Sequence, residues 1–286
     1  LDTTTRMAAR AYSAAKKIDQ KTNIEQLFGV AISATLSTNY EKKGSHRFHI
    51  AAQTRDFSQS ISCILNKGQR TREEEEELVT EFVIALISDC CGFEFKYPKI
   101  KEDVEHIQIP AQKGWADLMS EKIKFVTSSN QQPKLIFPGA FNPMHDGHIA
   151  MSELANKEMS EEVFFEICIQ NVDKPPLSYH QIKKTIDQFT DSKNWVLTKA
   201  GKFSDKAKLF PNSTFIIGAD TLVRIFDERF YASRREMMEE FEIFNTNNNN
   251  FLVFGREYKN KFIELSDIQL PCLLYTSPSP RDFTES

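Results

Sequence analysis

Apolar and polar residues largely alternate in the first third of the chain. This period of two predicts a half-buried strand at His46–Thr54, and the small and β-branched residues of Gly29–Thr38 predict another. A helical period covers residues 7–18. A second helix is predicted from the capping box at 71–74 to Gly92. The first part of the chain therefore combines strands with helices.

From Leu135 onward the pattern changes to short, continuous apolar runs separated by stretches with a helical period. The pattern Ser178-x-x-Gln181 begins one of these helices. Alternating strands and helices at this spacing predict an α/β fold with a parallel sheet and right-handed crossovers. Ligands of such sheets bind at the carboxyl ends of the strands. The predicted strands are Leu135–Phe137, Val163–Ile169, Trp195–Thr198, Thr214–Ile217 and Phe251–Phe254.

Between these two parts, residues 96–133 have mixed polarity, isolated prolines and the polar tract Ser128–Gln132. This composition predicts a connecting segment that contains one amphipathic helix near 114–124. The predicted organisation is therefore a first domain at 1–95, a connection at 96–133 and a second domain at 134–271. The opening helix has no strand before it, which suggests a fragment.

Composition excludes some classes of function. The chain has 286 residues, 40% of them hydrophobic and 27% charged, as expected for a globular protein of about two domains. A net charge of −4 gives no reason to expect nucleic acid or an anionic membrane as partner. The spacing of the cysteines predicts free thiols in a reducing compartment, hence a cytoplasmic protein, and no metal site. The five cysteines are Cys63, Cys90, Cys91, Cys168 and Cys272.

The stretch 135–148 carries the clearest chemistry. A buried strand runs through a turn rich in Gly, Asn and Pro directly into a helix, an arrangement whose backbone amides and helix dipole hold phosphate. His145 and His148 lie three residues apart at that helix start. They can donate to phosphate oxygens and, when protonated, balance the charge of a departing pyrophosphate. Two such histidines can alternatively bind a metal or cap the helix.

The run Gly139-x-Phe141-x-Pro143-x-His145-x-Gly147-His148 resembles the signature of the nucleotidylyltransferase superfamily. This superfamily includes nicotinamide-mononucleotide, phosphopantetheine and cytidylyl transferases. The resemblance implies a Rossmann-like domain that moves a nucleotidyl group from ATP to a phosphomonoester, with Mg²⁺ bridging the phosphates and small-molecule nucleotides as partners. It assigns catalytic roles to His145, His148 and Lys174. It assigns nucleotide binding to Gly139, Ala140, Phe141 and Gly147.

Two further segments follow predicted strands. Gly218 permits close approach of a ligand, while Asp220 either accepts from ribose hydroxyls or caps a helix over 222–226. The run from Gly218 through Thr221 resembles adenylyltransferases that act on pyridine mononucleotides, so nicotinamide mononucleotide is the preferred acceptor, giving NAD. Arg256 follows the last strand, where the family often places a basic residue. From position alone, Lys174 is either a phosphate ligand or a solvated turn lysine.

Residues 1–95 resemble part of the CinA-like domain, the fold of the nicotinamide-mononucleotide amidases. The matching residues lie at 29–38, 43–49 and 72–76. The segment that carries the amidase nucleophile has no counterpart, so the resemblance implies a partial CinA-like α/β domain without amidase activity. Two alternatives stay open for the whole chain: a non-catalytic nucleotide-binding regulatory protein, or a phosphopantetheine or cytidylyl transferase.

The end of the sequence is unusual. Cys272–Asp282 resembles a translated sequencing adapter, so residues 272–286 are predicted to be a non-native tail. The superfamily's second signature, a late I-S-x-T-x-x-R type segment, is expected just after Pro271. Thr276, Ser277 and Arg281 do not reproduce it.

Overall fold

The computed structural model describes residues 1–40, 42–112, 114–170, 176–189, 193–258, 261–263 and 268. The chain forms two compact units. The first unit contains Leu1–Ile123 and Asp173–Lys184, and the second contains Lys124–Val172 and Thr185–Ser286. No helix in the described part of the chain is long and apolar enough to cross a membrane.

The first unit is built on an antiparallel sheet in the order β1-β2-β3-β4. Its strands are β1 (Gly29–Thr35), β2 (His46–Gln53), β3 (Phe57–Leu65) and β4 (Val104–Pro110). Its helices are α1 (Asp2–Ile18), α2 (Arg72–Cys90) and α3 (Trp115–Met119). The capping box predicted at the start of α2 is confirmed.

The helices α1 and α2 cover opposite faces of this sheet. Phe48 and Ile50 of β2 share a core cluster with Phe82 of α2, whereas Ala51 of β2 clusters with Ala8 of α1. Neighbouring residues of a strand point to opposite faces, so the two clusters lie on the two sides of the sheet.

The sequence predicts a connection over 96–133, and the structure differs. Here β4 pairs with β3 along Val104–Pro110 and completes the first sheet. Its burial pattern shows only half-buried and exposed residues, and it ends in a proline, as edge strands often do. An edge strand of this kind has a weak hydrophobic signal, which explains the error. The helix predicted at 114–124 is observed, but it is shorter and covers only Trp115–Met119 of α3.

The second unit contains a six-stranded sheet in the order β10-β9-β6-β7-β8-β5. The strands β6 to β10 are parallel, while β5 runs antiparallel to β8 at one edge. The predicted α/β fold with a Rossmann-like parallel sheet is therefore confirmed. Its strands are β5 (Phe125–Thr127), β6 (Leu135–Pro138), β7 (Val163–Cys168), β8 (Asn194–Thr198), β9 (Thr214–Gly218) and β10 (Asn250–Phe254).

Helices connect the parallel strands, and apolar residues of three of these helices share a core cluster with the sheet. Ile136, Phe164 and Phe215 are at most 1% exposed. Strands that are buried on both faces need apolar residues at every position, so their sequences are continuous apolar runs. The helices of the second unit are α4 (Asp146–Met159), α6 (Phe203–Leu209), α7 (Ala219–Ile225) and α8 (Arg234–Thr246). The helix α5 (Tyr179–Ile186) follows β7 in the chain, and its residues up to Lys184 belong to the first unit. A hairpin of β11 (Arg256–Tyr258) and β12 (Lys261–Ile263) follows.

The asparagine tract 247–250 has defined hydrogen bonds. The Asn249 side-chain amide donates to the Phe210 carbonyl at 2.8 Å and to the Ser213 hydroxyl at 3.0 Å. Asn250 already belongs to β10. The tract therefore ties the end of α8 to the loop that precedes β9.

Candidate functional site

The strand order of the second sheet reverses beside β6, where open α/β sheets form a ligand-binding crevice. The chain builds β6, β7 and β8 in one direction and then returns to the other side of β6 for β9 and β10. The register between β6 and β9 consists of two pairs near their amino ends, Leu135 with Thr214 and Ile136 with Phe215. The two strands therefore part toward their carboxyl ends, which is the position where open α/β sheets bind ligands.

The connection from β6 to α4 forms one wall of this crevice. The Phe141 side chain is only 1% exposed and packs edge-on against Phe137 and Phe165, with ring centroids 5.6 and 5.3 Å away. A Cβ on Gly139 would lie 2.5 Å from the Phe141 ring. The structure thus gives Gly139 and the Phe141 side chain a packing role, while Ala140 between them is exposed. Nucleotide contacts from this segment would have to come from its backbone.

The two histidines of the signature stand together at the start of α4. His145 is the N-cap residue, and its ring stacks on that of His148 with centroids 3.7 Å apart and planes 26° apart. Gly147 leaves room for this arrangement, since a Cβ there would be 3.2 Å from the His145 ring. The helix-capping role and the phosphate-binding role are compatible in this geometry.

A hydrogen bond determines which nitrogen of His148 carries the proton. The backbone N–H of His145 donates to Nδ1 of His148 at 3.3 Å. A ring nitrogen that accepts a hydrogen bond carries no proton, so the neutral His148 ring holds its proton on Nε2. The ring is half-buried and contacts Phe137 and Phe141 edge-on. His148 is therefore held as an Nε2–H donor at the start of a helix.

The opposite wall of the crevice follows β9. Gly218 is the N-cap of α7, so Asp220 is the second residue of that helix. The alternative that Asp220 caps a helix beginning at Leu222 is wrong because the helix begins at Ala219. A carboxylate in the first turn interacts favourably with the helix dipole. Asp220 and Thr221 are both half-buried.

The structure thus brings most of the predicted site residues to neighbouring strand ends. One group follows β6 and comprises Gly139, Ala140, Phe141, His145, Gly147 and His148. The other group follows β9 and comprises Gly218, Asp220 and Thr221. Lys174 and residues 271–286 lie outside the described residues, and so does the side chain of Arg256, whose backbone begins β11.

A buried ion pair near the same strand ends is not predicted from the sequence. Lys206 of α6 donates to both carboxylate oxygens of Glu166 at 2.8 Å and to the Ala200 carbonyl at 2.7 Å. Thr198 also donates to Glu166. Glu166 and Lys206 are 1% and 4% exposed, respectively. The available signal was a glutamate inside the apolar run Val163–Ile169, because a carboxylate buried in a strand requires a partner.

This ion pair is continuous with the signature loop. The Glu166 carbonyl accepts the N–H of Gly139 at 3.0 Å, and the Glu166 side chain joins β7 to β8 and α6. Burial raises the pKa of the neighbouring Cys168 thiol, while the charge of Lys206 opposes that shift. Gln188 also contacts the loop, and no motif in the sequence predicts this contact.

Comparison with protein families agrees with this geometry. Residues 136–269 match the model of the family described as Cytidylyltransferase-like. No curated protein matches the chain significantly. The matched segment begins in β6 and includes the signature loop, both groups of predicted site residues and the strands β7 to β10. Residues 136–269 are therefore a cytidylyltransferase-like domain of the nucleotidylyltransferase superfamily.

Proposed function

We propose that this domain transfers a nucleotidyl group from a nucleoside triphosphate to a phosphomonoester and releases pyrophosphate. ATP and nicotinamide mononucleotide, which would give NAD, are the preferred pair. The observation that carries the proposal is the His148 Nε2–H donor at the start of α4, beside a crevice between β6 and β9. The cytidylyltransferase-like domain supports nucleotidyl transfer in general.

In the proposed reaction, an oxygen of the acceptor phosphate attacks the α-phosphorus of the triphosphate. The bond from that phosphorus to the bridging oxygen breaks, and pyrophosphate leaves with the electron pair. The acceptor is itself the nucleophile, so catalysis consists of positioning and charge stabilisation. His145, His148 and the amides at the start of α4 stabilise the negative charge on the leaving group.

Other residues have supporting roles in this proposal. Lys174 neutralises phosphate charge, Asp220 and Thr221 orient the nucleotide, and Arg256 supplies a further cation. The described residues contain no group of three or more His, Cys, Asp and Glu side chains suited to hold a metal ion. In this proposal Mg²⁺ enters as part of the substrate, bound to the triphosphate. We also propose that residues 1–95 are a partial CinA-like domain without amidase activity.

The test is pyrophosphate release with ATP or CTP as donor and nicotinamide mononucleotide or phosphopantetheine as acceptor. CTP is included because of the family match. We expect His148→Ala to lower turnover by about 10²–10³, the usual cost of removing one donor to developing negative charge. His49→Ala on β2 of the first unit is the matched histidine control and should leave turnover unchanged.

Two outcomes would contradict the proposal. If His148→Ala turns over within about threefold of the unmodified chain, His148 does not stabilise the transition state. Nucleotide binding by calorimetry without pyrophosphate release from any pair would favour the non-catalytic binding protein.

A further inference from the structure

Gln188 lies two residues after α5 and bridges both ends of a turn in the signature loop. Its side-chain Nε2 donates to the Phe141 carbonyl at 2.8 Å, and its Oε1 accepts the N–H of Met144 at 2.8 Å. A glutamine has one acceptor and one donor end, so this pair of contacts fixes the orientation of the amide. The side chain therefore acts as a clamp across Phe141–Met144.

The clamped turn has an unfavourable backbone. Phe141 has a φ of +42°, in the left-handed region that residues with a side chain seldom adopt. Such conformations persist where the surrounding structure determines them. Packing of the Phe141 ring against Phe165 and Phe189 holds one part of the turn, and Gln188 holds its carbonyl.

The turn leads directly to the histidine pair. Met144, whose N–H Gln188 accepts, is bonded to His145, whose N–H in turn donates to Nδ1 of His148. The direction of the His145 N–H depends on the backbone immediately before it. The clamp therefore holds the backbone that immediately precedes the His145 N–H.

We propose that Gln188 is a positioning residue, which sets the tautomer of His148 through the Met144–His145 backbone. Without the clamp, His145 no longer directs its N–H at Nδ1, and the proton of His148 distributes over both nitrogens. The structural part of the proposal is independent of the reaction. Its kinetic consequence rests on the proposed nucleotidyl transfer.

Two variants of the whole chain test the clamp. Gln188→Met keeps the length of the side chain and removes both hydrogen bonds. Gln188→Glu keeps the acceptor for Met144 and places a second acceptor against the Phe141 carbonyl. Gln131→Glu is the matched control, because Gln131 is exposed and lies outside the signature loop.

The first measurement needs no activity. Long-range ¹H–¹⁵N spectra of the histidine rings are recorded at about pH 8, where imidazoles are mostly neutral. The His148 signals are identified by their loss in His148→Ala. The unmodified chain and Gln131→Glu should give the pattern of the Nε2–H tautomer. Gln188→Met should give a mixture of the two His148 tautomers. If the methionine variant does not fold, Gln188→Glu is used for the same measurement.

The second measurement separates kcat from KM. A misplaced catalytic group lowers kcat. We therefore expect kcat of the Gln188 variants to decrease by about 10–100-fold, with KM for the nucleotide nearly unchanged. An unchanged His148 spectrum in both Gln188 variants would overturn the proposal. So would an unchanged kcat in an active protein. An unmodified chain that is inactive with every substrate pair would refute the proposed function, and the spectra would then decide the role of Gln188 alone.

Discussion

The two sheets of this protein distribute their polar residues in different ways. In the antiparallel sheet of the first unit, a row of polar residues crosses one face, each paired with the next on the neighbouring strand: Ser33, His49, Ser62 and Glu105. In the parallel sheet of the second unit, the polar residues of interest gather at the carboxyl ends of β6, β7 and β9. The difference follows from strand direction. Antiparallel neighbours end at opposite edges, whereas parallel neighbours all end at the same edge.

This contrast explains where sequence could locate a site. In a parallel sheet, residues that follow separate strands must meet at one edge, so the groups at 139–148 and 218–221 could be placed together before the fold was known. The row in the first sheet faces a cleft of about 560 Å³ lined by His49, Ser62 and Glu105. Its members come from mid-strand positions, and no pattern in the sequence predicts that they share a face.

The largest effect is expected at the buried ion pair of the parallel sheet. Lys206→Met leaves the Glu166 carboxylate buried without its cation, which typically costs about 3–5 kcal/mol. The free energy of unfolding can be measured for the second unit alone, because each unit holds one tryptophan: Trp115 in the first and Trp195 in the second. Urea titration in a Trp115→Phe chain follows Trp195 fluorescence.

The double variant Glu166→Gln with Lys206→Met is the control for this prediction. It removes both charges, so it should recover part of the lost stability. A double variant that is no more stable than Lys206→Met would show that the loss comes from packing and not from an uncompensated charge.

A smaller and pH-dependent effect is expected at the Arg70–Glu102 pair of the first unit. Hydrogen bonds from Arg70 are the main cause that lowers the pKa of Glu102 to about 2. An unfolded glutamate titrates near 4.3, so the stabilisation is complete above that pH and is lost as the pH falls toward about 2. The pair should contribute about 2–3 kcal/mol at neutral pH.

Unfolding of a Trp195→Phe chain at about pH 6 and pH 3 measures this contribution through Trp115. The same pair of titrations on Arg70→Met subtracts the effect of all other carboxylates. If the loss of stability on acidification is equal with and without Arg70, this ion pair is not its source.

The smallest effect is expected in the polar row. Ser62 and His49 share a hydrogen bond of 2.9 Å, but both are half-buried beside the cleft, where water can replace the hydroxyl. Ser62→Ala should therefore change the free energy of unfolding of the first unit by less than about 1 kcal/mol. If Ser62→Ala lowers the free energy of unfolding as much as Lys206→Met does, the position of a polar pair in the sheet does not determine how much stability is lost with one partner.

The sequence predicted the five parallel strands of the second sheet and the signature loop because continuous apolar runs and a glycine-rich turn have strong local signals; it did not predict the short antiparallel strand β5. It did not predict β3 or β4, in which serines and charged residues weaken the alternation. It could not identify Lys206 as the partner of Glu166, since 40 residues separate the two. The contact of Gln188 could not be predicted for another reason: its partners are backbone atoms, which are the same in every residue and leave no signal in the sequence.

The parting of β6 and β9 has a consequence for how such a domain can change. Hydrogen bonds join these strands at two rungs near their amino ends, and beyond those rungs β6 pairs with β7 while β9 pairs with β10. The width of the crevice is therefore set by side chains and not by a shared ladder. Substitutions at its walls can alter the size of molecule that fits without removing a single hydrogen bond of the sheet. Stability and selectivity are thus free to vary separately in this architecture.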